Sequence, residues 1–285
     1  MCRLFGFRST IQSQVHRSLV GADRSLSNLS EEHPDGWGVA YYVDGAPHVT
    51  RSPESAINDH IFHRVSGIVA SETVIAHVRR ATKGELNVLN CHPFQYGRWT
   101  FAHNGDVPTF PDRKERLLAE VAPRLRRFVL GTTDSEVIFM LFLTHLSKFG
   151  ALASRFGIEE VVEALRETIA QVRDICDGPD EDSRALLTIL VSDGSTMAGV
   201  QSGKELLWST HKTHCADRDN CPNLAPECEA PTVSGFVNHL VFSSEPMEGE
   251  NVWTEMEPGE VIGVDWRMRL TKSHLERRRL QVVAI

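Results

Sequence analysis

Short runs of alternating apolar and polar residues recur through the first third of the chain, and this period of two is typical of strands. The runs lie at residues 2–8, 38–43, 48–52, 73–79 and 99–103. Asp44-Gly45, between the second and third runs, is a pair typical of a type I′ turn, so these two strands are expected to form a hairpin. Residues 10–29 carry mixed periodicity instead, which we interpret as a helix.

The middle of the chain changes to helical spacing. Thr133-Asp134-Ser135-Glu136 has the spacing of a capping box and precedes an apolar run to Phe149, so Asp134 is expected in the first turn of a helix. Apolar residues then recur at helical intervals from Ile158 to Val172, which predicts a second, amphipathic helix.

Beyond a break at 177–180, strands are predicted again. They lie at 186–191, 197–201, 206–209, 240–243 and 261–265. Strands, then helices, then strands favour sheets packed with helices over a repeated βαβ unit. We expect one continuous domain over residues 1–285.

Composition narrows the classes of function. The 285 residues carry a formal net charge of -8, which disfavours a dedicated surface for polyanions, so nucleic acid is not an expected partner. The densest apolar run, 137–143, is far shorter than the roughly 20 residues that span a bilayer, so no membrane partner is expected. No basic segment followed by an apolar one comes behind Met1, and we expect a cytoplasmic location.

Six cysteines are too few in a chain of this length to suggest a disulfide scaffold. Three of them, Cys215, Cys221 and Cys228, share the segment 211–231 with two histidines. That set could hold zinc, but its spacing lacks the tight C-x2-C pair of common zinc sites. Reduced surface thiols or a redox-sensitive loop are the alternatives. We assign no metal and no cofactor.

Cys2 carries the clearest chemical signal. Removal of Met1, which aminopeptidases perform before small side chains, would leave a thiol on the N-terminal residue itself. A free α-amine titrates at roughly pH 7.7 to 8.0, so near neutrality it can accept the proton of the adjacent thiol. Nucleophile and base would then share one residue. The alternative is that Cys2 is an ordinary buried thiol at the start of a strand.

Four further residues suit a cysteine that attacks a carboxamide. Asn104 and Gly105 can supply an amide donor and a closely approaching backbone N–H to an oxyanion, although Asn-Gly is also a common hairpin turn. Arg79 can bind a carboxylate with two parallel hydrogen bonds, and a surface salt bridge is its alternative role. Asp134 is complementary to an ammonium group, but it would also stabilise the first turn of its helix without any ligand.

Together and in this order, these residues resemble the class II glutamine amidotransferases, whose catalytic domain belongs to the N-terminal nucleophile hydrolases. The matching segments are Met1-Cys2, 77–82, 91–94, 101–105 and 132–136. Residues 33–38, with the sequence HPDGWG, make the chain most similar to small stand-alone members, including YafJ-type proteins and the ergothioneine-pathway γ-glutamyl hydrolases. The resemblance is dense to about residue 145 and thins afterwards to 192–194, 243–246 and 258–260.

The resemblance implies an α+β fold, a four-layer αββα sandwich of the N-terminal nucleophile hydrolase type. It also implies that Cys2 is the nucleophile and that Asn104 and the Gly105 N–H form the oxyanion hole. By the same resemblance, Arg79 binds the α-carboxylate of the substrate and Asp134 binds its α-ammonium group.

Other family positions are matched or replaced. Thr82 and His103 correspond to positions that line the glutamine pocket, and His92 to a residue of structural support. Synthases of the family that transfer ammonia commonly carry Trp and His where this chain has Arg80 and Lys83. This departure puts channelled ammonia transfer in doubt and favours an open pocket that admits a larger γ-glutamyl compound.

We therefore predict a cysteine-dependent amidohydrolase that cleaves the γ-amide of glutamine or of a γ-glutamyl compound through a γ-glutamyl thioester. One alternative is a glutaminase subunit that supplies ammonia to a separate synthase, which would be its ammonia-accepting partner protein. The other is a catalytically idle binding or scaffold protein that uses the region of Cys215.

Overall fold

The computed structural model describes residues 2–81, 84–215, 218–219, 221, 223–247 and 249–282. The strands are β1 (Arg3–Gln14), β2 (Trp37–Val43), β3 (Ala46–Ser52), β4 (Ala70–Val78), β5 (Phe94–Tyr96), β6 (Trp99–Asp106), β7 (Leu186–Ser192), β8 (Met197–Val200), β9 (Leu207–Ser209), β10 (His239–Ser243), β11 (Thr254–Glu255), β12 (Glu260–Val264), β13 (Leu270–His274) and β14 (Arg277–Val282). The α-helices are α1 (Leu26–Leu29), α2 (His60–Ile68), α3 (Phe110–Glu120), α4 (Pro123–Arg126), α5 (Asp134–Leu146) and α6 (Ile158–Cys176).

The described strands form two antiparallel sheets of seven strands each. The first sheet has the order β11, β9, β10, β1, β4, β2, β3, and the second has the order β14, β13, β12, β8, β7, β6, β5. β1 is the central strand of the first sheet, because β4 pairs with one of its edges and β10 with the other. The residues at the start of β1 therefore lie between the ends of two neighbouring strands.

The sheets and helices stack in four layers. The two sheets face each other across an apolar core that includes Leu4, Leu190 and Phe242. α2 covers the outer face of the first sheet, where the rings of Phe62 and Trp37 lie 5.0 Å apart. α3, α5 and α6 bury their apolar residues against the outer face of the second sheet. The expected αββα sandwich is confirmed.

The predicted strands are confirmed. β2 and β3 form the expected hairpin, with Asp44 (φ 51°) and Gly45 (φ 78°) in the left-handed conformation that a type I′ turn needs. The runs predicted at 73–79 and 99–103 correspond to β4 and β6. β4 begins earlier, at Ala70, and ends at Val78, whereas β6 continues to Asp106. The five strands predicted after residue 180 correspond to β7, β8, β9, β10 and β12.

The helix predicted over residues 10–29 is wrong. β1 continues past Arg8 through an irregularity and pairs again with β4, Ser13 opposite Ser71 and Gln14 opposite Ala70. Residues 10–14 alternate between exposed and half-buried positions, so their polar side chains suit a strand at the sheet surface. One π-helical turn at Arg17–Gly21 and the single turn of α1 come after the strand.

The two long helices are confirmed, with differences at the ends of the first. α5 begins at Asp134 and ends at Leu146, and Phe149 lies beyond it with 45% exposure. The capping box does not form, because the Thr133 side chain makes no capping hydrogen bond and Glu136 Oε2 accepts instead from the Gly131 N–H at 2.6 Å. α6 contains the whole amphipathic run that was predicted from Ile158 onward.

The cysteine-containing segment 211–231 is anchored by its backbone. Lys212 N–H donates to the Cys228 carbonyl at 2.9 Å, and Cys215 N–H donates to the Glu229 carboxylate at 2.6 Å. All six cysteines of the chain are free thiols. Among the residues that the structure describes, no three His, Cys, Asp or Glu side chains are grouped so that they could hold a metal ion. Over the same residues, no helix has the length and hydrophobicity to cross a membrane.

Candidate active site

Cys2 immediately precedes β1, so the central position of that strand brings the thiol to the end of β4. Arg3 pairs with Val78, the last residue of β4. The next residues of that chain segment reach the thiol, because Arg80 N–H donates to Cys2 Sγ at 3.3 Å and Sγ lies 3.4 Å from the Arg80 carbonyl oxygen. The sheet pairing therefore places the nucleophile candidate beside residues 79–81.

The surroundings of the Cys2 thiol act on its ionisation in opposite directions. Burial is the largest influence and raises the pKa of the thiol above its ordinary value. The Arg80 backbone N–H and the positive charge of Arg79 act against that rise by stabilising a thiolate. The net rise keeps the thiol protonated near neutral pH, so attack by sulfur at that pH needs a base to accept its proton.

Asn104 and Gly105 lie on β6, in the other sheet. Asn104 is 3% exposed, and its Nδ2 lies 3.5 Å from the hydroxyl of Ser244. That hydroxyl accepts from the Leu4 N–H at 2.9 Å, two residues from Cys2. One serine thus connects the candidate oxyanion donor with the strand that carries the thiol.

Gly105 cannot carry a side chain where it lies. A Cβ at this position would be 1.7 Å from the carbonyl oxygen of Leu186, on the neighbouring strand β7. The close approach of two backbones, which a glycine permits because it has no Cβ, therefore fixes the residue type. The Asn-Gly pair lies inside a strand, and the alternative of a hairpin turn is wrong.

Arg79 is 3% exposed, so the alternative of a surface salt bridge is wrong. The Arg79 backbone N–H donates to the Gly36 carbonyl at 2.7 Å, and the guanidinium Nη1 donates to the Glu85 carbonyl at 3.4 Å. Asp35 holds the same segment twice, because its N–H donates to the Arg79 carbonyl at 3.0 Å and its carboxylate accepts from the Ala81 N–H at 2.8 Å. Residues 33–38 thereby fix the backbone that contacts Cys2.

Asp134 opens α5 and accepts several hydrogen bonds there. Its Oδ1 accepts from the Ser135 N–H at 2.7 Å and from the Ser135 hydroxyl at 3.1 Å, and its Oδ2 accepts from the Val107 N–H at 2.9 Å. The carboxylate therefore stabilises the start of the helix in addition to any role toward a ligand. It joins α5 to the end of β6, next to Asn104 and Gly105.

His103 is buried on β6 and uses both ring nitrogens. Nδ1 lies 2.9 Å from the Ser135 hydroxyl, and Nε2 lies 2.9 Å from the Leu186 carbonyl oxygen. The ring thus links β6 to the first turn of α5. Thr82, the other residue expected in the substrate pocket, lies outside the described residues, as does Lys83.

Three further histidines are buried beside this group. The ring centroids of His77 and His92 lie 4.3 Å apart with the planes tilted by 38°, and His33 lies in the segment that holds Arg79. Burial is the main cause that lowers the pKa of His77 to about 3 and that of His33 to about 4, and it lowers that of His92 as well. These imidazoles are therefore neutral at physiological pH.

Two residues with evident contacts at the site, Asp35 and Ser244, were not expected there. Asp35 belongs to the HPDGWG segment and Ser244 to the segment 243–246, and the family resemblance is the signal that covers both segments. Neither carries a spacing that reveals its contacts, because both act across the fold on backbone groups more than 40 residues away in sequence.

Comparison with known proteins finds a matching family model and similar sequences. The family model for class II glutamine amidotransferases matches residues 1–278. The protein DUG3 of Saccharomyces cerevisiae, a probable glutamine amidotransferase, is 32% identical over 69% of this chain and 62% of its own length. YafJ of Escherichia coli is 25% identical over 94% of this chain and 97% of its own. The gamma-glutamyl-hercynylcysteine sulfoxide hydrolase of Mycobacterium tuberculosis is 29% identical over 60% of each chain.

Solved structures with low sequence identity share the fold. A class II glutamine aminotransferase domain protein from Silicibacter pomeroyi superposes with a TM-score of 0.64 at 19% identity, covering 96% of this chain and 99% of that one. Glutamine phosphoribosylpyrophosphate amidotransferase from Bacillus subtilis superposes with a TM-score of 0.60 at 15% identity, covering 96% of this chain and 49% of that one. The sandwich is therefore the fold of glutamine amidotransferase domains.

Proposed function

The chain belongs to the class II glutamine amidotransferase family, and from this membership we propose that it is an amidohydrolase that uses Cys2 to cleave the γ-amide of glutamine or of a γ-glutamyl compound. The observation that supports the proposal most directly is the position of the Cys2 thiol, 3.3 Å from the Arg80 N–H and joined through Leu4 and Ser244 to Asn104. The candidate nucleophile and the candidate oxyanion donor thus come from strands of the two facing sheets.

In the proposed reaction, removal of Met1 frees the α-amine of Cys2. This amine accepts the thiol proton while Sγ attacks the γ-carbonyl carbon, because the thiol itself is protonated near neutral pH. Asn104 Nδ2 and the Gly105 N–H donate to the oxyanion that forms. The amine then protonates the departing nitrogen, and water hydrolyses the γ-glutamyl thioester.

The proposal assigns substrate recognition to charged groups of opposite sign. Arg79 would bind the α-carboxylate with its guanidinium group, and Asp134 would bind the α-ammonium group. Thr82 and His103 would line the remainder of the pocket. Both charges are needed, since the γ-glutamyl group carries one charge of each sign at its α-carbon.

Labelling of the thiol tests the nucleophile. We expect 6-diazo-5-oxo-norleucine to modify the wild-type protein once, at Cys2, and to abolish release of glutamate from a panel of γ-glutamyl substrates. Cys2→Ala should be neither labelled nor active. Cys221→Ala, which removes a half-exposed thiol from the segment 211–231, is the matched control and should behave like the wild type.

The outcomes separate the alternatives. A mature protein that retains Met1, or one in which Cys2 stays unmodified while substrate is consumed, contradicts the proposal. Release of ammonia from glutamine by the purified chain alone supports a free-standing hydrolase. Activity that appears only with a second protein would assign the chain to the ammonia-supplying subunits instead.

A further inference from the structure

The hydroxyl of Ser244 contacts both halves of the candidate site. Ser244 directly follows β10 and is 5% exposed. Its Oγ accepts from the Leu4 N–H at 2.9 Å, its own N–H donates to the Leu4 carbonyl at 3.1 Å, and Asn104 Nδ2 lies 3.5 Å from the same Oγ. Leu4 is two residues from the nucleophile candidate, and Asn104 is the oxyanion donor candidate.

The contact with Leu4 departs from ordinary strand pairing. The backbone pairing of β1 with β10 runs from Ser9 opposite His239 to Phe5 opposite Ser243. At the next position the Leu4 N–H is satisfied by a side-chain oxygen, where a strand would normally use a carbonyl. This exchange brings a hydroxyl to the inner face of the sheet, within reach of β6.

Asn104 depends on that hydroxyl. Among the described residues, the Asn104 side-chain amide makes one hydrogen bond, from Nδ2 to the Ser244 hydroxyl. Its Oδ1 is buried without a partner within the same residues. A serine hydroxyl both donates and accepts, so it can accept from Nδ2 or donate to Oδ1. In either orientation Ser244 restrains the plane of the amide that would face the oxyanion.

The residue after Ser244 supports the same end of β1. Glu245 forms an ion pair with Arg3, and Arg3 Nη1 lies 3.4 Å from the Cys2 carbonyl oxygen. Both Arg3 and Glu245 are about one-fifth exposed, so the ion pair is partly shielded from water. Two successive side chains after β10, those of Ser244 and Glu245, thus hold the first residues of β1.

We propose that Ser244 is a positioning residue of the reaction, which sets the Asn104 amide at a fixed place relative to the N-terminal strand that carries Cys2. The inference rests on the proposed function, because it assigns Asn104 to the oxyanion. Ser244 itself neither bonds to the substrate nor transfers a proton. Its effect passes through the geometry of Asn104, where a displacement of about 1 Å can cost on the order of a hundredfold in rate.

Steady-state kinetics with the best γ-glutamyl substrate test the proposal. We expect Ser244→Ala to lower kcat by about tenfold to a hundredfold with KM nearly unchanged, because stabilisation is lost in the transition state. Ser209→Ala, which removes a buried hydroxyl of β9 that donates to the His211 carbonyl at 3.0 Å, is the control and should retain kcat.

Two further measurements separate positioning from support of the fold. Iodoacetamide alkylates a thiol without forming an oxyanion, so its rate at Cys2 should be the same in Ser244→Ala and wild type. Ser244→Ala should also add nothing to the loss caused by Asn104→Ala, since residues that act as one unit are not additive. An additional loss in the Asn104→Ala background, or an equal fall in alkylation, would overturn the proposal.

A pair of β-branched variants covers the case in which Ser244→Ala folds poorly. Ser244→Thr and Ser244→Val have nearly the same shape and differ by the hydroxyl, so any effect on packing is common to both. We expect Thr to retain most of the kcat that Val loses, and equal kcat in the two variants would contradict the inference. A wild-type protein that is inactive and unlabelled at Cys2 would remove the proposed function, and the role of Ser244 with it.

Discussion

At the scale of single residues, the candidate site includes side chains that already make contacts within the fold. Asp134 is the clearest case, since its carboxylate accepts three hydrogen bonds within the protein. His103 likewise uses both ring nitrogens on protein partners. A test of substrate binding at either residue must therefore distinguish recognition from support of α5.

An amide substrate without an α-amine makes that distinction for Asp134. We expect Asp134→Asn to lower kcat/KM for glutamine by about tenfold to a hundredfold, the range for loss of a hydrogen bond to a charged group. It should have much less effect on glutaramic acid, which lacks the ammonium group. The preference for glutamine over glutaramic acid is the quantity to measure.

Glu136→Gln is the matched control for this experiment. Glu136 lies in the same helical turn, and its carboxylate accepts from the Gly131 backbone N–H. The variant should keep the wild-type preference for glutamine. If Asp134→Asn slows both substrates equally, Asp134 supports the helix and does not bind the ammonium group.

At the scale of elements, the thiol is positioned by two segments that meet the ends of β1 and β4. The segment after β10 holds the first residues of β1. The segment 33–38, which leads into β2, holds the backbone of residues 79–81 through Asp35 and Gly36. The candidate nucleophile thus lies where two elements are fixed independently.

Replacement of Asp35 tests the second of these segments. Asp35→Ala removes the acceptor of the Ala81 N–H, and we expect kcat/KM to fall by about tenfold or more because the backbone that faces Cys2 shifts. Asp35→Glu should not rescue fully, since its longer side chain displaces the same contact. Asp23→Asn, at an exposed acid between β1 and α1, is the control. Unchanged kinetics in Asp35→Ala would show that the Asp35 contact does not contribute to the reaction.

At the scale of the whole molecule, the candidate site spans the two sheets. Cys2 precedes a strand of the first sheet and Asn104 lies on the second, so their separation depends on how the sheets pack. Another polar contact joins the two sheets near the start of β6, where the Tyr42 hydroxyl of β2 lies 2.8 Å from the Thr100 hydroxyl. The Asn104 to Ser244 contact crosses between the sheets at the end that carries the site.

The buried histidines make the stability of the whole fold depend on pH. Burial is the main cause that lowers the pKa of His239 to about 4, whereas an unfolded chain binds that proton near pH 6.5. The unfolded state therefore takes up a proton between about pH 6.5 and 4 while the folded state does not. Stability is lost as the pH falls through this window, by up to about 1.4 kcal/mol per pH unit for each such histidine.

Urea unfolding at pH 7 and pH 5 measures this dependence. We expect the free energy of unfolding to be lower at pH 5, and His239→Gln to show a smaller difference between the two conditions than the wild type. Within the described part of the chain, His239 Nε2 is buried without a hydrogen-bond partner, so the replacement deprives no other group of a bond at that atom. His60→Gln, at an exposed position, should keep the wild-type difference. If the free energy of unfolding changes equally between pH 7 and pH 5 in both variants, His239 does not contribute to the pH dependence.

The sequence by itself determined most of the strands, the two long helices and the residue types of the site, because these follow from local periodicity and from motifs of adjacent residues. The prediction from sequence failed over residues 10–29. The polar surface strand there has no strong hydrophobic periodicity, and its pairing with β4 decides its structure. The site motifs at Cys2, Arg79, Asn104 and Asp134 were visible in the chain, but their arrangement was not.

Only the tertiary structure decided which groups meet. Asp35 and Ser244 act through hydrogen bonds to backbone groups that are distant in sequence, and such contacts leave no periodic signal. The close approach of β6 and β7 that requires Gly105 likewise exists only once the second sheet has formed. Local sequence selects strands and helices, whereas contacts between them depend on how the two sheets pair and pack.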